Sequence, residues 1–131
     1  NAGVTLPHGI GMTIGGFCPH VMHGEALAVT YPEFTRFTYA YAVRHFATVG
    51  RIFDQRLLNV SDEDAAEGLC DALDEFLKEI GMWMSLEKLN ITQDEVVQIA
   101  DHSQVLPDYK NNPRVATRDE ILEILQNSYS R

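Results

Sequence analysis

Three helix starts, each marked by a capping motif, constrain the fold of this chain more than any other feature. In each motif a serine or threonine is followed three positions later by an acidic residue. The two side chains then satisfy backbone N–H groups that the first turn of a helix leaves free. The pairs are Ser61 with Asp64, Thr92 with Glu95, and Thr117 with Glu120. The second half of the chain is therefore predicted to contain three capped helices. The first of them runs at helical spacing as far as Ile80, with Gly81 as its C-terminal cap.

The first half of the chain is also predicted to be helical. Gly9 to Gly16 suits a short helix, a buried helix starts at Gly24, and Tyr39 to Phe53 carries apolar residues close to helical spacing. Pro32 is expected to kink or restart the helix that contains it. Residues 106–113 hold two prolines and two asparagines and are predicted to form a loop. Since no segment alternates polar and apolar residues as a half-buried strand does, we expect an all-α helical bundle.

Length and composition narrow the class of protein. The 131 residues fit a single helical domain spanning positions 1–131, and 45% hydrophobic with 22% charged residues is ordinary globular composition. No run of eighteen apolar residues is present, so we expect no membrane-spanning segment. The net charge of −9 argues against a nucleic-acid partner, because phosphate binding requires a basic surface.

The two cysteines, Cys18 and Cys70, lie far apart and form no C-x-x-C pattern. They are expected to be free, buried thiols, which favours a reducing compartment and hence a cytoplasmic protein. A role for Cys18 as a soft metal ligand is the alternative to its role as a small apolar filler.

Two histidines, each followed by glycine, are the candidate metal ligands. His8 precedes Gly9, and His23 opens the run His23-Gly24-Glu25-Ala26-Leu27-Ala28. Imidazole is the commonest protein ligand of catalytic transition metals, and glycine beside it allows close approach of backbone or substrate. A catalytic zinc or iron site usually takes at least three protein ligands, so two histidines would form part of a site.

These motifs resemble the metal-binding signature of the iron-containing (group III) alcohol dehydrogenase family. The resemblance extends along the chain in the family's order. Its further elements are Tyr31-Pro32-Glu33-Phe34, Gly81-Met82, Ser85 to Ile91, Asn112-Pro113-Arg114, and the capped segment Thr117 to Leu122.

The resemblance implies a subunit of two domains. An N-terminal α/β domain binds NAD or NADP, and a C-terminal helical domain, like the α domain of dehydroquinate synthase, holds the metal. The family's four ligands are an upstream aspartate and histidine, absent from this sequence, and two histidines that correspond to His8 and His23. Because imidazole suits both ions, the metal is expected to be Fe(II) or Zn(II).

The resemblance also places two residues near the reactants. It leaves one further histidine as an alternative metal ligand. Met12 occupies a cofactor-binding position near the nicotinamide, where many family members have a histidine, so a proton relay there is in doubt. Phe17 is expected to line the substrate pocket, with a simple core aromatic as the alternative. The interval from His8 to His23 is one residue longer than the common family spacing. His20 is therefore the competing ligand, and His23 is preferred because the motif follows it.

The expected function is metal-assisted hydride transfer between NAD(P) and a small-molecule alcohol or aldehyde. The chain would be the C-terminal part of a longer enzyme whose missing portion precedes residue 1. Alone, it would be inactive, because it lacks the cofactor domain and two metal ligands. The longer enzyme could also assemble into a homo-oligomer. The alternatives are a non-catalytic helical interaction module and a relative similar to glycerol dehydrogenase.

Overall fold

Helices make up all the regular secondary structure of residues 3–131, which the computed structural model describes. The six α-helices are α1 (Leu6–Phe17), α2 (His23–Thr38), α3 (Val43–Phe53), α4 (Asp62–Glu79), α5 (Gln93–His102) and α6 (Arg118–Asn127). Short 3₁₀ turns occupy Tyr39–Tyr41, Gln55–Leu57 and Pro107–Asn111. The prediction of an all-α bundle is confirmed. No helix within this described range is both long and apolar enough to cross a bilayer.

The capping motifs set the helix boundaries as predicted. In α5 the N–H of Glu95 donates to Thr92 Oγ1 at 3.2 Å, and the N–H of Thr92 donates to Glu95 Oε2 at 2.7 Å. The same reciprocal pair starts α6, and the Ser61 hydroxyl accepts from the N–H of Asp64 at the start of α4. Each pair satisfies backbone donors that would otherwise lack a partner.

Glycine ends α4 as the sequence predicted. Gly81 has φ +73°, a left-handed conformation that costs glycine little because it has no Cβ atom. This turn directs the N–H of Met82 onto the carbonyl of Leu77 at 2.7 Å and the N–H of Gly81 onto that of Lys78 at 3.2 Å. The two bonds complete a Schellman motif and satisfy the last carbonyls of the helix.

The structure differs from the sequence-based prediction at three places in the chain. Helix α2 does not restart at Pro32, which is buried within a helix that contacts α1, α4 and α6. This packing compensates for the hydrogen bond that proline cannot make. The predicted Tyr39–Phe53 helix begins only at Val43, because the 3₁₀ turn and the non-helical backbone of Ala42 come first. The predicted loop at 106–113 contains a 3₁₀ turn with proline at its start.

Helix α2 lies at the centre of the molecule and joins two apolar clusters. The main core is formed by α1, α2, α5, α6 and the segment before α5; its largest fully buried side chains include Leu6, Ile10, Ile14, Val29, Leu86, Ile99, Ile121 and Leu125. A smaller cluster between α3 and α4 is built on Ala47, Ala65 and Ala66. Arg36 of α2 ties α4 to the centre by donating to Asp74 Oδ2 at 2.6 Å. Cys18 and Cys70 are free and buried, as predicted.

The close contact of α3 with α4 requires glycine at position 50. A Cβ atom there would lie 2.5 Å from the backbone oxygen of Ala65, so α3 and α4 would have to separate. At Gly15 of α1, a Cβ atom would meet nothing within 4 Å. We predict that Gly50→Ala lowers the free energy of unfolding by about 1–3 kcal/mol through overpacking. Gly15→Ala should raise it by roughly 0.5–1 kcal/mol through helix propensity.

Urea unfolding followed by circular dichroism measures both effects in the same chain. Equal midpoints for the Gly50→Ala and Gly15→Ala variants would contradict the close packing of α3 on α4.

The buried thiol of Cys70 should make the free energy of unfolding depend on pH in the alkaline range. Burial raises the pKa of this thiol from 9.0 to about 11, because the thiolate would lose its hydration. Between these values the unfolded chain releases the proton while the folded chain keeps it. The free energy of unfolding should therefore fall as pH rises through that interval, by about 2 kcal/mol.

The Cys70→Ala variant provides the control. It should lose stability at neutral pH by leaving a space in α4, but its further loss between pH 9 and 11 should be smaller by that amount. The same pH slope in both proteins would rule out the contribution of this thiol.

Candidate metal centre

The structure brings His8 and His23 together at the start of two helices. His8 is in the first turn of α1, directly after Pro7, and His23 is the first residue of α2. Their ring centroids are 5.1 Å apart with an interplanar angle of 79°. His8 is half-buried and His23 is exposed, so a ligand could reach both rings from one side. Within residues 3–131 neither imidazole has a hydrogen bond to the protein.

Two local features position the ring of His23. The carboxylate of Glu25 accepts from the N–H of Met22 at 2.9 Å and so fixes the entry of the chain into α2. Gly11 of α1 leaves room for the imidazole on the other side. A Cβ atom at Gly11 would lie 3.1 Å from Leu27 Cδ2, which is tighter than most real contacts, and 3.4 Å from His23 Cε1, which is ordinary van der Waals contact. The glycine therefore allows α2 to approach α1 at the histidine pair.

His20, the competing candidate, is engaged elsewhere. Its Nε2 lies 2.9 Å from the carbonyl oxygen of Leu89. Because a carbonyl only accepts, this contact requires a proton on Nε2 and leaves that nitrogen without a lone pair for a metal. The geometry favours His23 over His20 as the partner of His8.

The spacing of the two imidazoles fits one shared metal ion. Two imidazoles bound to one tetrahedral ion through bonds of about 2.0–2.1 Å place their ring centroids roughly 5 Å apart. No cluster of three or more histidine, cysteine, aspartate or glutamate side chains suited to a metal occurs in the described part of the chain. Cys18 is fully buried beside Glu95, and burial together with that carboxylate raises its thiol pKa. Its burial in the main core fits the role of a small apolar filler.

Met12 and Phe17 lie along the same helix, beyond His8. Both line an open, largely apolar cavity of about 250 Å³ between α1 and the segment that follows α5. Met12 is one helical turn after His8 and half of its surface is exposed (50%). Phe17 is half-buried and contacts the core as well, so its two predicted roles are compatible.

The contact of His102 with Phe17 could not be predicted from the sequence. His102 lies exposed at the end of α5, but its ring packs against Phe17 with centroids 5.0 Å apart and lines the Met12 cavity. Its Nδ1 is 2.8 Å from the carbonyl of Gln98 and donates its N–H to that oxygen. No local pattern links positions 17 and 102, because the contact depends on how α1 packs on α5.

The Asn112-Pro113-Arg114 motif joins α2 to the start of α6. Arg114 stacks 3.9 Å above the ring of Phe37 and donates to Glu120 Oε1 at 2.7 Å. The N–H of Thr117 and the guanidinium of Arg114 both lower the pKa of Glu120, the backbone contact being the larger cause. The motif thus has a structural role between α2 and α6.

A family model described as the Fe-containing alcohol dehydrogenase family, C-terminal, matches residues 1–129. The chain belongs to this family.

Curated relatives agree with that assignment. The chain is 25% identical over 128 residues to the NAD-dependent methanol dehydrogenase of Bacillus methanolicus, covering 98% of this chain and 33% of that protein. It is 29% identical over 125 residues to the sulfoacetaldehyde reductase of Bilophila wadsworthia (strain 3_1_6), covering 93% of this chain and 32% of the reductase. The chain thus spans about a third of the length of the iron-type dehydrogenases and reductases it matches.

A solved structure confirms the fold. The alcohol dehydrogenase from Oenococcus oeni superimposes with a TM-score of 0.89 at 23% identity, over 98% of this chain and 33% of that one. The helical bundle of this Fe-containing alcohol dehydrogenase family member is therefore the fold of the family's C-terminal domain, as expected from the sequence.

The role of Gly11 can be tested in the chain alone. We predict that Gly11→Ala crowds Leu27, shifts α2 relative to α1 and so weakens the nuclear Overhauser effect between the ring protons of His8 and His23. Gly24→Ala, where a Cβ atom meets nothing within 4 Å, is the matched control beside His23 and should leave that signal unchanged. An unaltered His8–His23 signal in the Gly11→Ala variant would show that this glycine does not position the pair.

Proposed function

We propose that this chain is the C-terminal metal-binding domain of an NAD(P)-dependent alcohol dehydrogenase, a longer protein whose other part precedes residue 1. The observation that carries the proposal is the pairing of His8 with His23, at a ring spacing of 5.1 Å, in a chain of the Fe-containing alcohol dehydrogenase family. The reaction is hydride transfer between a small alcohol or aldehyde and the nicotinamide. The similarity of this chain to a methanol dehydrogenase and a sulfoacetaldehyde reductase supports this substrate class.

His8 and His23 would provide two of the ligands of one Fe(II) or Zn(II) ion, and an upstream aspartate and histidine would complete the set. Such an ion, when bound, polarises the substrate oxygen and lowers the pKa of an alcohol. The protein's contribution is to hold its imidazoles in place before the metal arrives. Packing of α2 against Gly11 does this for His23, and the first turn of α1 does it for His8.

The cavity beyond His8 would receive the organic reactants. Met12 would present an apolar thioether towards the nicotinamide, and Phe17 would present its ring towards the substrate; both line this cavity. A methionine cannot accept a proton, so a histidine relay at position 12 is absent. The proton released from an alcohol would leave through another group or through solvent.

The remaining expectations belong to the same proposal. The longer enzyme would be cytoplasmic, with its thiols reduced, and would function as a homo-oligomer or a monomer without nucleic-acid partners. The 131-residue chain alone should show no oxidation of alcohols and only weak metal affinity, because two imidazoles hold a labile divalent ion loosely.

Metal content and alcohol oxidation in the longer enzyme test the proposal. We predict that His8→Ala and His23→Ala each remove most of the bound iron or zinc and lower kcat/KM by more than about 100-fold. His20→Ala is the matched control and should retain metal and activity, since its Nε2 bonds to a backbone carbonyl.

Two outcomes would contradict this account. Retention of metal and activity in both the His8 and His23 variants would make these histidines structural and favour a helical interaction module. Loss of metal in the His20 variant, with retention in the His23 variant, would transfer the ligand role to His20.

A further inference from the structure

The cavity that follows His8 along α1 has one ionisable side chain in its wall. Its larger apolar lining residues are Met12, Phe17, Val105 and Leu106, and its volume is about 250 Å³. Of the residues that the structure describes around this cavity, His102 alone is ionisable. The only other polar side chain is a threonine at position 13, whose hydroxyl donates to a backbone carbonyl within α1 at 2.9 Å. His102 is therefore the polar group that this apolar cavity offers to a bound molecule.

Two contacts hold the imidazole of His102 in the cavity wall. Nδ1 donates its N–H to the carbonyl of Gln98 at 2.8 Å, and the ring packs against Phe17 with centroids 5.0 Å apart. No hydrogen bond to Nε2 is formed within residues 3–131. Because Nδ1 is engaged, Nε2 is the atom through which this ring can bind a ligand. It accepts a hydrogen bond when the ring is neutral and donates one when the ring is protonated.

The cavity lies on the face of α1 that carries His8. Met12 and Gly16 follow His8 at intervals of four residues, so all three lie above one another on the helix. At a rise of about 1.5 Å per residue, the cavity extends from about 6 to about 12 Å beyond the candidate metal ligand. A molecule with one end at the histidine pair can therefore reach His102 with its other end.

We propose that His102 is a specificity-determining residue, which binds through Nε2 a second hydroxyl group at the end of the substrate far from the metal. The inference rests on the proposed function, in which His8 and His23 hold the metal and this cavity receives the substrate. The substrate class is then an unbranched alcohol or aldehyde with a terminal hydroxyl group, its two oxygens separated by roughly 6–12 Å. The apolar walls would cover the carbon chain between them.

The surroundings of His102 favour a hydroxyl over other chemical groups. A hydroxyl both donates and accepts, so it can bond to Nε2 in either protonation state of the ring. A purely apolar chain end would take Nε2 out of water without giving it a partner, which is costly for a polar atom. An anionic group would approach a chain of net charge −9 with a single imidazole to receive it.

Substrate discrimination in the longer enzyme tests the inference. A straight-chain terminal diol is compared with the primary alcohol of the same carbon number, over a series of chain lengths. We predict that the diol is preferred in kcat/KM by about tenfold where its length matches the cavity, the worth of one hydrogen bond. His102→Leu should abolish this preference by raising KM for the diol, with kcat and the constants for the primary alcohol unchanged. His102→Gln, whose amide can again bond to a hydroxyl, should restore part of it.

A histidine on another helix provides the matched control. His45 is exposed on α3, which packs on α4 and not on α1 or α5, so His45→Leu should keep the preference for the diol. The preference is a ratio measured on one sample, so partial unfolding of a variant does not alter it.

A binding measurement is independent of turnover. In the zinc-loaded enzyme the diol should shift the NMR resonances of the His102 ring, assigned with the His102→Gln variant. The primary alcohol should leave those resonances in place, because it brings no partner for Nε2.

The same preference in wild type and His102→Leu, or a His102 ring that the diol does not perturb, would overturn the inference and leave the dehydrogenase function intact. Weaker binding of the nicotinamide cofactor by His102→Leu, with the preference for the diol unchanged, would assign the ring to the cofactor and overturn the inference as well. A perturbed His102 ring in an enzyme that oxidises no alcohol would refute the proposed function alone.

Discussion

The close approach of α1 and α2 at Gly11 is the contact on which the candidate site depends. A side chain at this position would meet both Leu27 and the imidazole of His23, so the absence of one sets the distance between the helices. Since His8 and His23 lie at the N-terminal ends of these two helices, the same distance sets the spacing of their rings. Helix α2 then transmits this arrangement to the rest of the bundle, because it also packs against α4 and α6.

Local signals in the sequence predicted the helices well wherever hydrogen bonding is local. The capping pairs beginning at Ser61, Thr92 and Thr117 and the left-handed Gly81 each act within a few residues, so their effect can be worked out without knowing the fold. Pro32 did not end α2, since the helix is held by neighbours distant in sequence. The late start of α3 at Val43 likewise depends on the turn that joins it to α2.

The sequence motif predicted which residues form the candidate site, but it did not predict the distances between them. Glycine-flanked histidines in a recognisable order pointed to His8 and His23, but composition and spacing contain no distance between rings. The hydrogen bond that His20 Nε2–H donates to the carbonyl of Leu89, and the packing of His102 on Phe17, join residues far apart in sequence. Such contacts arise from tertiary packing, which the periodicity of a single segment does not encode.

The histidine pair presents one half of a metal site. Its two imidazoles are two ligands, where a catalytic metal takes at least three. A longer polypeptide of the Fe-containing alcohol dehydrogenase family would complete the set.

Anomalous scattering from a crystal of the longer enzyme, recorded at the absorption edges of iron and zinc, tests this central claim most directly. The account predicts a single peak within about 2.0–2.1 Å of one ring nitrogen from each of His8 and His23. A metal peak that is bound elsewhere, with these two rings in contact only with each other, would contradict it.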